Sequence, residues 1–259
     1  MLSYDKIAGI YDDDMGKNIS GEDIVFYVQQ CLSAQAPILE LGCGTGRITL
    51  ALIKAGLEVV GIDASLPMLQ QLQRKATEQL SMVEQMRLHY CQMDMSACAF
   101  NTHFAFILCP FSAFIYLVDK SAQTETLANI RSLLAPNGLF ILDVFVPNRQ
   151  MMALPDDHVF HDYERILADG TILKRTKTIQ KTAIPNVNLI TRYYYFLDKA
   201  SGKEKRTITT QDYIHYYFPD ELKNLLQQNG FEVLQVWGDF REQPCDEKTG
   251  VAVIICKVF

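Results

Sequence analysis

Residues 38–47 read Ile-Leu-Glu-Leu-Gly-Cys-Gly-Thr-Gly-Arg: an apolar run that opens into three alternating glycines and then a helical pattern. Glycine lets the backbone turn through conformations other residues avoid and come close to a ligand. A helix starting just beyond such a loop presents unpaired N–H groups to it. The next apolar run, Val59-Val60-Gly61-Ile62, closes on Asp63, where a carboxylate suits a two-point grip on ribose hydroxyls. Strand, glycine loop, helix, strand and acid in this order point to a parallel βαβ unit that holds a nucleotide-like ligand. A nicotinamide fingerprint requires glycine at 47 or 49, where the chain has Arg47 and Thr49. Nothing in the chain fits a P-loop.

The same alternation continues through the first half. Strands are expected at Pro37–Leu41, Leu57–Asp63, Met86–Met93, His103–Pro110 and Gly138–Pro147, with helices over Gly46–Ala55, Pro67–Ser81 and Ser121–Leu134. Such alternation builds a parallel sheet covered on both faces. From His158 to Tyr217 the pattern changes. Turns at Asp169-Gly170, Pro185-Asn186 and Ser201-Gly202 separate polar, β-branched and aromatic runs, predicting an antiparallel meander of about four strands. A helix over Pro219–Gln228 stops at Asn229-Gly230, and strands follow at Phe231–Phe240 and Val251–Val258. The ten residues between those strands are too few for a parallel crossover, so the last strand should run antiparallel. The expected architecture is α/β: a Rossmann-like, seven-stranded, mostly parallel sheet with one reversed strand, plus an inserted antiparallel β-meander. Its core is residues 1–157 and 218–259, with the insertion at residues 158–217.

Lys and Arg number 24 against 30 Asp and Glu, a net charge of −6, which argues against a nucleic-acid partner. Seven cysteines without a C-x-x-C pair, most inside apolar runs, suit a reducing compartment and no zinc site. No signal peptide or membrane-length apolar run is expected, so the reading is a soluble, cytoplasmic protein with no membrane partner. His158 and His161 lie three apart on an expected strand and point to opposite faces, so no metal site is assigned. The clusters Asp12-Asp13-Asp14 and Lys174-Arg175 are expected to be solvated faces.

The series Glu40-x-Gly42-x-Gly44-x-Gly46 followed by Asp63 resembles the motif of class I S-adenosylmethionine-dependent methyltransferases, as does Leu133-Leu134-Ala135-Pro136-Asn137-Gly138 leading into the fifth strand. The similarity covers residues 38–147 well and 218–259 moderately. It implies the strand order 3-2-1-4-5-7-6 and S-adenosyl-L-methionine as cofactor. It further implies a cofactor site of Glu40, Gly42, Gly44, Gly46, Asp63, Ala64, Met68, Asp94, Met95 and Cys109, the last through its backbone. Met93-Asp94-Met95 matches the acidic position that faces adenine in that family. Tyr4-Asp5-Lys6-Ile7-Ala8 and Tyr11-Asp12 are similar to the N-terminal lid of small-molecule members, where a tyrosine closes over the methionine end; for Tyr11 the alternative is an amphipathic lead-in segment.

Methyl transfer from a sulfonium is an in-line displacement whose reagent is already activated, so a protein mainly supplies orientation and a water-poor site. No conspicuous catalytic dyad is required. His161, Glu164 and His215 are the titratable candidates for a base, and no catalytic residue is assigned. Cys109-Pro110-Phe111-Ser112 lacks the [DNS]-P-P-[YFW] signature of amino-methylating enzymes acting on nucleic acids. The aromatic run Tyr193-Tyr194-Tyr195-Phe196 suits the wall of a small acceptor's pocket or the seam between insertion and core. The expected activity is S-adenosylmethionine-dependent methylation of a small molecule on N or O. Methylation of protein or RNA, and a catalytically silent cofactor-binding regulator, stay open as alternatives.

Overall fold

Strand β1 (Ile38–Leu41) has all four residues buried, as a central strand requires. The computed structural model describes residues 2–15, 21–156, 158–246 and 248–259. In it, β1 pairs in parallel with β2 (Val59–Asp63) on one side and β4 (Phe104–Cys109) on the other. Beyond β2 lies β3 (Leu88–Gln92), and beyond β4 lies β5 (Leu134–Phe145), both parallel. Strand β11 (Val251–Val258) inserts antiparallel between β5 and β10 (Phe231–Trp237), giving the order β10-β11-β5-β4-β1-β2-β3. This is the strand order that the family resemblance implies, with the reversed strand that the short β10–β11 connection predicts.

Alternation along the strands divides the core between two faces. Leu39, Leu41, Ile107 and Cys109 pack on one, and Ile38, Val59, Leu108 and Ile141 on the other. Helices α1 (Ser3–Ile7), α2 (Tyr11–Met15) and α3 (Glu22–Cys31) precede β1. None has a periodic signal in the sequence strong enough to announce it, yet α3 buries Phe26, Tyr27 and Cys31. Helix α4 (Arg47–Lys54) follows β1, capped by Gly46 instead of beginning there. Helix α5 (Leu66–Gln79) starts from the Ser65 cap with Pro67 in its first turn and buries Met68, Leu69, Leu72 and Ala76. Short α6 (Met82–Gln85), α7 (Lys120–Leu133), short α8 (Arg149–Met152) and α9 (Pro219–Gln228) complete the helices.

Between α8 and α9 stands a four-stranded antiparallel sheet in the order β6-β7-β8-β9, with β6 Phe160–Ile166, β7 Ile172–Lys181, β8 Val187–Leu197 and β9 Glu204–His215. Ile190 of β8 and Ile214 of β9 join the apolar cluster of the large sheet, so the two sheets share packing. Residues 1 and 157, which bound the expected core segment, lie outside the described residues. Strand β5 begins at Leu134, four residues before its expected start, because Leu134 pairs with Phe104 ahead of a register shift. Strand β10 stops at Trp237, short of Phe240. Among the described residues no helix is long and apolar enough to cross a membrane.

Candidate active site

The carboxyl ends of β1, β2 and β4 open into a cleft of about 220 Å³. Its floor is the glycine loop, and the three glycines divide the work. A Cβ on Gly42 would sit 2.9 Å from that of Ala113, and one on Gly46 would meet Leu72 at 2.1 Å, so both serve packing. Gly44, at φ +56°, faces the cleft, where a Cβ would press on Met68 at 3.3 Å and lie 4.0 Å from Asp63 Oδ2. The Asp63 carboxylate holds the loop, with Gly44 N–H donating to Oδ2 and Ser65 N–H to Oδ1, both at 2.8 Å. Burial pushes Asp63 above the usual carboxylate range, against those two donors. Under the loop, Glu40 is buried, accepts the Thr49 hydroxyl at 2.5 Å, and is pushed up to about 7 by burial. Ala64, Met68, Met95 and Ile48 give the cleft apolar walls.

Beyond β4 the chain turns through Phe111 and Ser112, both left-handed at φ 54° and 59° although neither is glycine. Buried Asp143, near the end of β5, secures that turn. It accepts Phe111 N–H at 2.8 Å, Ser112 N–H at 3.0 Å and the Tyr27 hydroxyl at 2.7 Å. Burial raises Asp143 to about 6, and the three donors oppose it. Arg47 reaches from the start of α4 across the cleft, paired to buried Asp23 at 2.5 Å and lying over the Phe111 ring at 5.0 Å.

A second cavity, about 470 Å³, lies between the two sheets. The four-stranded sheet lends it one face: Arg175, Lys177 and Ile179 from β7, Ile190, Arg192 and Tyr194 from β8, and Thr210, Asp212 and Ile214 from β9. Helices α1 and α2 cross over both cavities and are tied to both sheets. Ser65 Oγ donates to Asp5 and Thr45 Oγ1 to Asp12, each at 2.7 Å, while Ser3 Oγ donates to the Gln211 carbonyl at 2.9 Å. The hydroxyls of Tyr4 and Tyr116 share a 2.5 Å hydrogen bond. Asp14, 1% exposed, accepts Arg175 Nη1 at 2.7 Å and the hydroxyls of Tyr163 and Tyr194. Among the described residues, six line both cavities: Ser3, Tyr4, Tyr11, Phe111, Tyr116 and Asp212.

Tyr11, Glu40, Gly42, Gly44, Asp63, Ala64, Met68 and Met95 therefore meet around one cleft. Gly46, Asp94 and Cys109 are not in its lining. The Asp94 carboxylate accepts Ser96 N–H at 2.8 Å, capping the turn after β3, and Cys109 is wholly buried at the end of β4. His161 and Glu164 are exposed on β6, and His215 stacks on Tyr217 with Glu221 at 3.4 Å; none lines either cavity. His158 precedes β6, and among the described residues no group of three His, Cys, Asp or Glu side chains is placed to hold a metal.

One expectation is overturned. Asp14 and Arg175 are not solvated; each neutralises the other inside the fold, which only a contact across 161 positions achieves. Of the aromatic run 193–196, only Tyr194 lines the cavity, because strand alternation sends Tyr193 and Tyr195 to the far face, where they stack at 6.3 Å. Phe196, on the near face, is spent on packing with Ile7 and Leu173. Arg47, Tyr116, Asp143 and Asp212 were assigned no site role from the sequence, and Tyr4 stood only within the expected lid segment.

Residues 38–138 match a family described as a methyltransferase domain. A Geobacillus sp. (strain WCH70) protein provisionally named a methyltransferase is 27% identical over 223 residues, covering 85% of this chain and 83% of that one. The CcbJ methyltransferase of Streptomyces caelestis superposes with a TM-score of 0.82 at 21% identity, over 100% of this chain and 98% of that one. CalS10, an amino pentose methyltransferase of Micromonospora echinaspora solved with S-adenosylmethionine bound, superposes with a TM-score of 0.71 at 20% identity, over 96% and 97%.

Proposed function

Because the chain is a class I S-adenosylmethionine-dependent methyltransferase, we propose that the smaller cleft holds the cofactor and the larger cavity takes a small-molecule acceptor. One observation carries this reading: the two cavities share a wall of six residues, so whatever lies at the end of the first meets whatever fills the second.

The residues present fit the cofactor. Asp63 offers a carboxylate at the end of β2 for a ribose diol, and the space a Cβ on Gly44 would fill is the cradle beside it. Ala64, Met68 and Met95 are apolar walls of the kind an adenine requires. The bound group supplies an activated methyl on a sulfonium. The chain's own contribution is to orient and to exclude water. Tyr4, Tyr11 and Tyr116 frame the passage between the cavities, and burial raises the phenols of Tyr4 and Tyr11 well above their ordinary range, so they stay neutral donors. Asp143 holds the Phe111–Ser112 turn against its strained backbone, keeping that face of the passage in position.

An acceptor enclosed under α1 and α2 in about 470 Å³ is a small molecule and not a nucleic acid or folded protein, as the acidic net charge also suggests. Seven free thiols suit a cytoplasmic setting. The test is release of S-adenosylhomocysteine across an acceptor panel of small metabolites, RNA and peptides. Turnover with small molecules, at a rate indifferent to moderate salt, is expected. Turnover confined to RNA with steep salt dependence, or none with cofactor bound, would select one of the other readings.

A further inference from the structure

Among the six residues that line both cavities, Asp212 is the only charged one. It lies on β9 opposite Ile190, and its Oδ2 accepts Arg192 Nη1 at 2.7 Å across the β8–β9 ladder. Among the described residues its Oδ1 takes no hydrogen bond, and the side chain is largely buried. The other carboxylates of the larger cavity are engaged: Asp14 by Arg175, Asp23 by Arg47, and Asp143 by three donors. Asp212 thus lines both cavities with one carboxylate oxygen that has no hydrogen-bond partner among the described residues.

We propose that Asp212 receives the N–H of the acceptor, and that the acceptor is a primary or secondary amine. This rests on the cofactor and acceptor assignment given above. In the transfer, the nitrogen lone pair forms the new N–C bond while the C–S bond breaks and its electron pair stays on sulfur. The positive charge moves from sulfur to nitrogen, and the extra proton leaves the ammonium to solvent. A carboxylate on the acceptor side follows that charge and stabilises it. It also aligns the lone pair by holding an N–H of the same nitrogen. An amine attacks without losing a proton first, so it needs from Asp212 only a hydrogen-bond acceptor and no base. Arg192 is therefore a positioning residue: it occupies Oδ2 and leaves Oδ1 to the acceptor.

Sinefungin tests this without knowledge of the acceptor, because it carries an amine where the transferable methyl sits in the cofactor. Calorimetry on the full chain should show sinefungin binding at least about tenfold tighter than S-adenosylhomocysteine, as a hydrogen bond between charged partners provides. Asp212→Asn should lose that preference, read as the ratio of the two affinities, with retained binding of S-adenosylhomocysteine reporting a folded site. Asp212→Glu should recover part of it. A preference that survives in Asp212→Asn, or is absent from the parent, overturns the role of Asp212 alone. Failure of the parent to bind S-adenosylhomocysteine overturns the cofactor assignment beneath it.

Discussion

The smaller cleft takes its floor and one wall from a single stretch, residues 40–68, whereas the larger cavity draws on residues 3–15, 23, 111–116, 143–151, 175–194, 210–216, 240 and 250–251. The first is shaped by backbone: a glycine loop, a helix start and a strand-end carboxylate whose partners lie within about one βαβ unit. The second is held by side chains that meet across the chain, as Asp14 meets Arg175 and Tyr4 meets Tyr116. A site of the first kind is lost by changing its binding atoms, with the fold intact. A site of the second kind is built from the same buried pairs that stabilise the fold, so its residues cannot be removed without cost to stability.

The largest effect that would break this contrast is on Arg175. Arg175→Ala removes the guanidinium donor of buried Asp14 and one partner of Asp162, so urea denaturation should report a loss of about 3–5 kcal/mol. A loss below 1 kcal/mol on the general scale of exposed pairs would mean that the larger cavity is not held by its ion pairs. Next comes Asp63→Ala, expected to weaken S-adenosylmethionine binding about 10- to 100-fold, with a loss of stability smaller than that of Arg175→Ala because only two backbone donors lose their acceptor. An unchanged dissociation constant would remove Asp63 from the site.

Glu40 sharpens the contrast through pH. Burial raises it from 4.5 to about 7 in the folded chain, so folding favours its protonated form. That contribution is complete below pH 4.5 and is lost as pH rises through 7. Glu40→Gln should therefore unfold at a higher temperature than the parent at pH 8, the gap narrowing towards pH 4.5. A gap that stays constant across this range would show that Glu40 does not titrate with folding. The smallest effect belongs to Lys75, which binds half-exposed Asp12 at 3.0 Å. Lys75→Ala should cost within about 1 kcal/mol, and the difference should shrink in high salt.

The large sheet was legible because its strands are short apolar runs separated by helical periods, and because ten residues between β10 and β11 leave one geometry open. The grouping of Glu40, Gly44 and Asp63 around the smaller cleft was legible for the same reason: they sit where the ends of β1 and β2 must bring them. Helices α1 and α2 were not, since five residues each are too few for a periodic signal. Asp12-Asp13-Asp14 looked like a solvated run, and only Asp14 is buried, a distinction of one residue that depends on what packs over it.

What the chain's sequence determined by itself is the order of elements, the reversed strand and the glycine loop with its carboxylate, because these rest on local backbone preference and crossover length. What tertiary structure alone decided is which charges are inside: Asp14 with Arg175, Asp23 with Arg47, and Asp212 with Arg192 facing both cavities. A charge becomes tolerable in the interior only when its partner arrives from a distant part of the chain, and spacing along the sequence carries no record of that meeting.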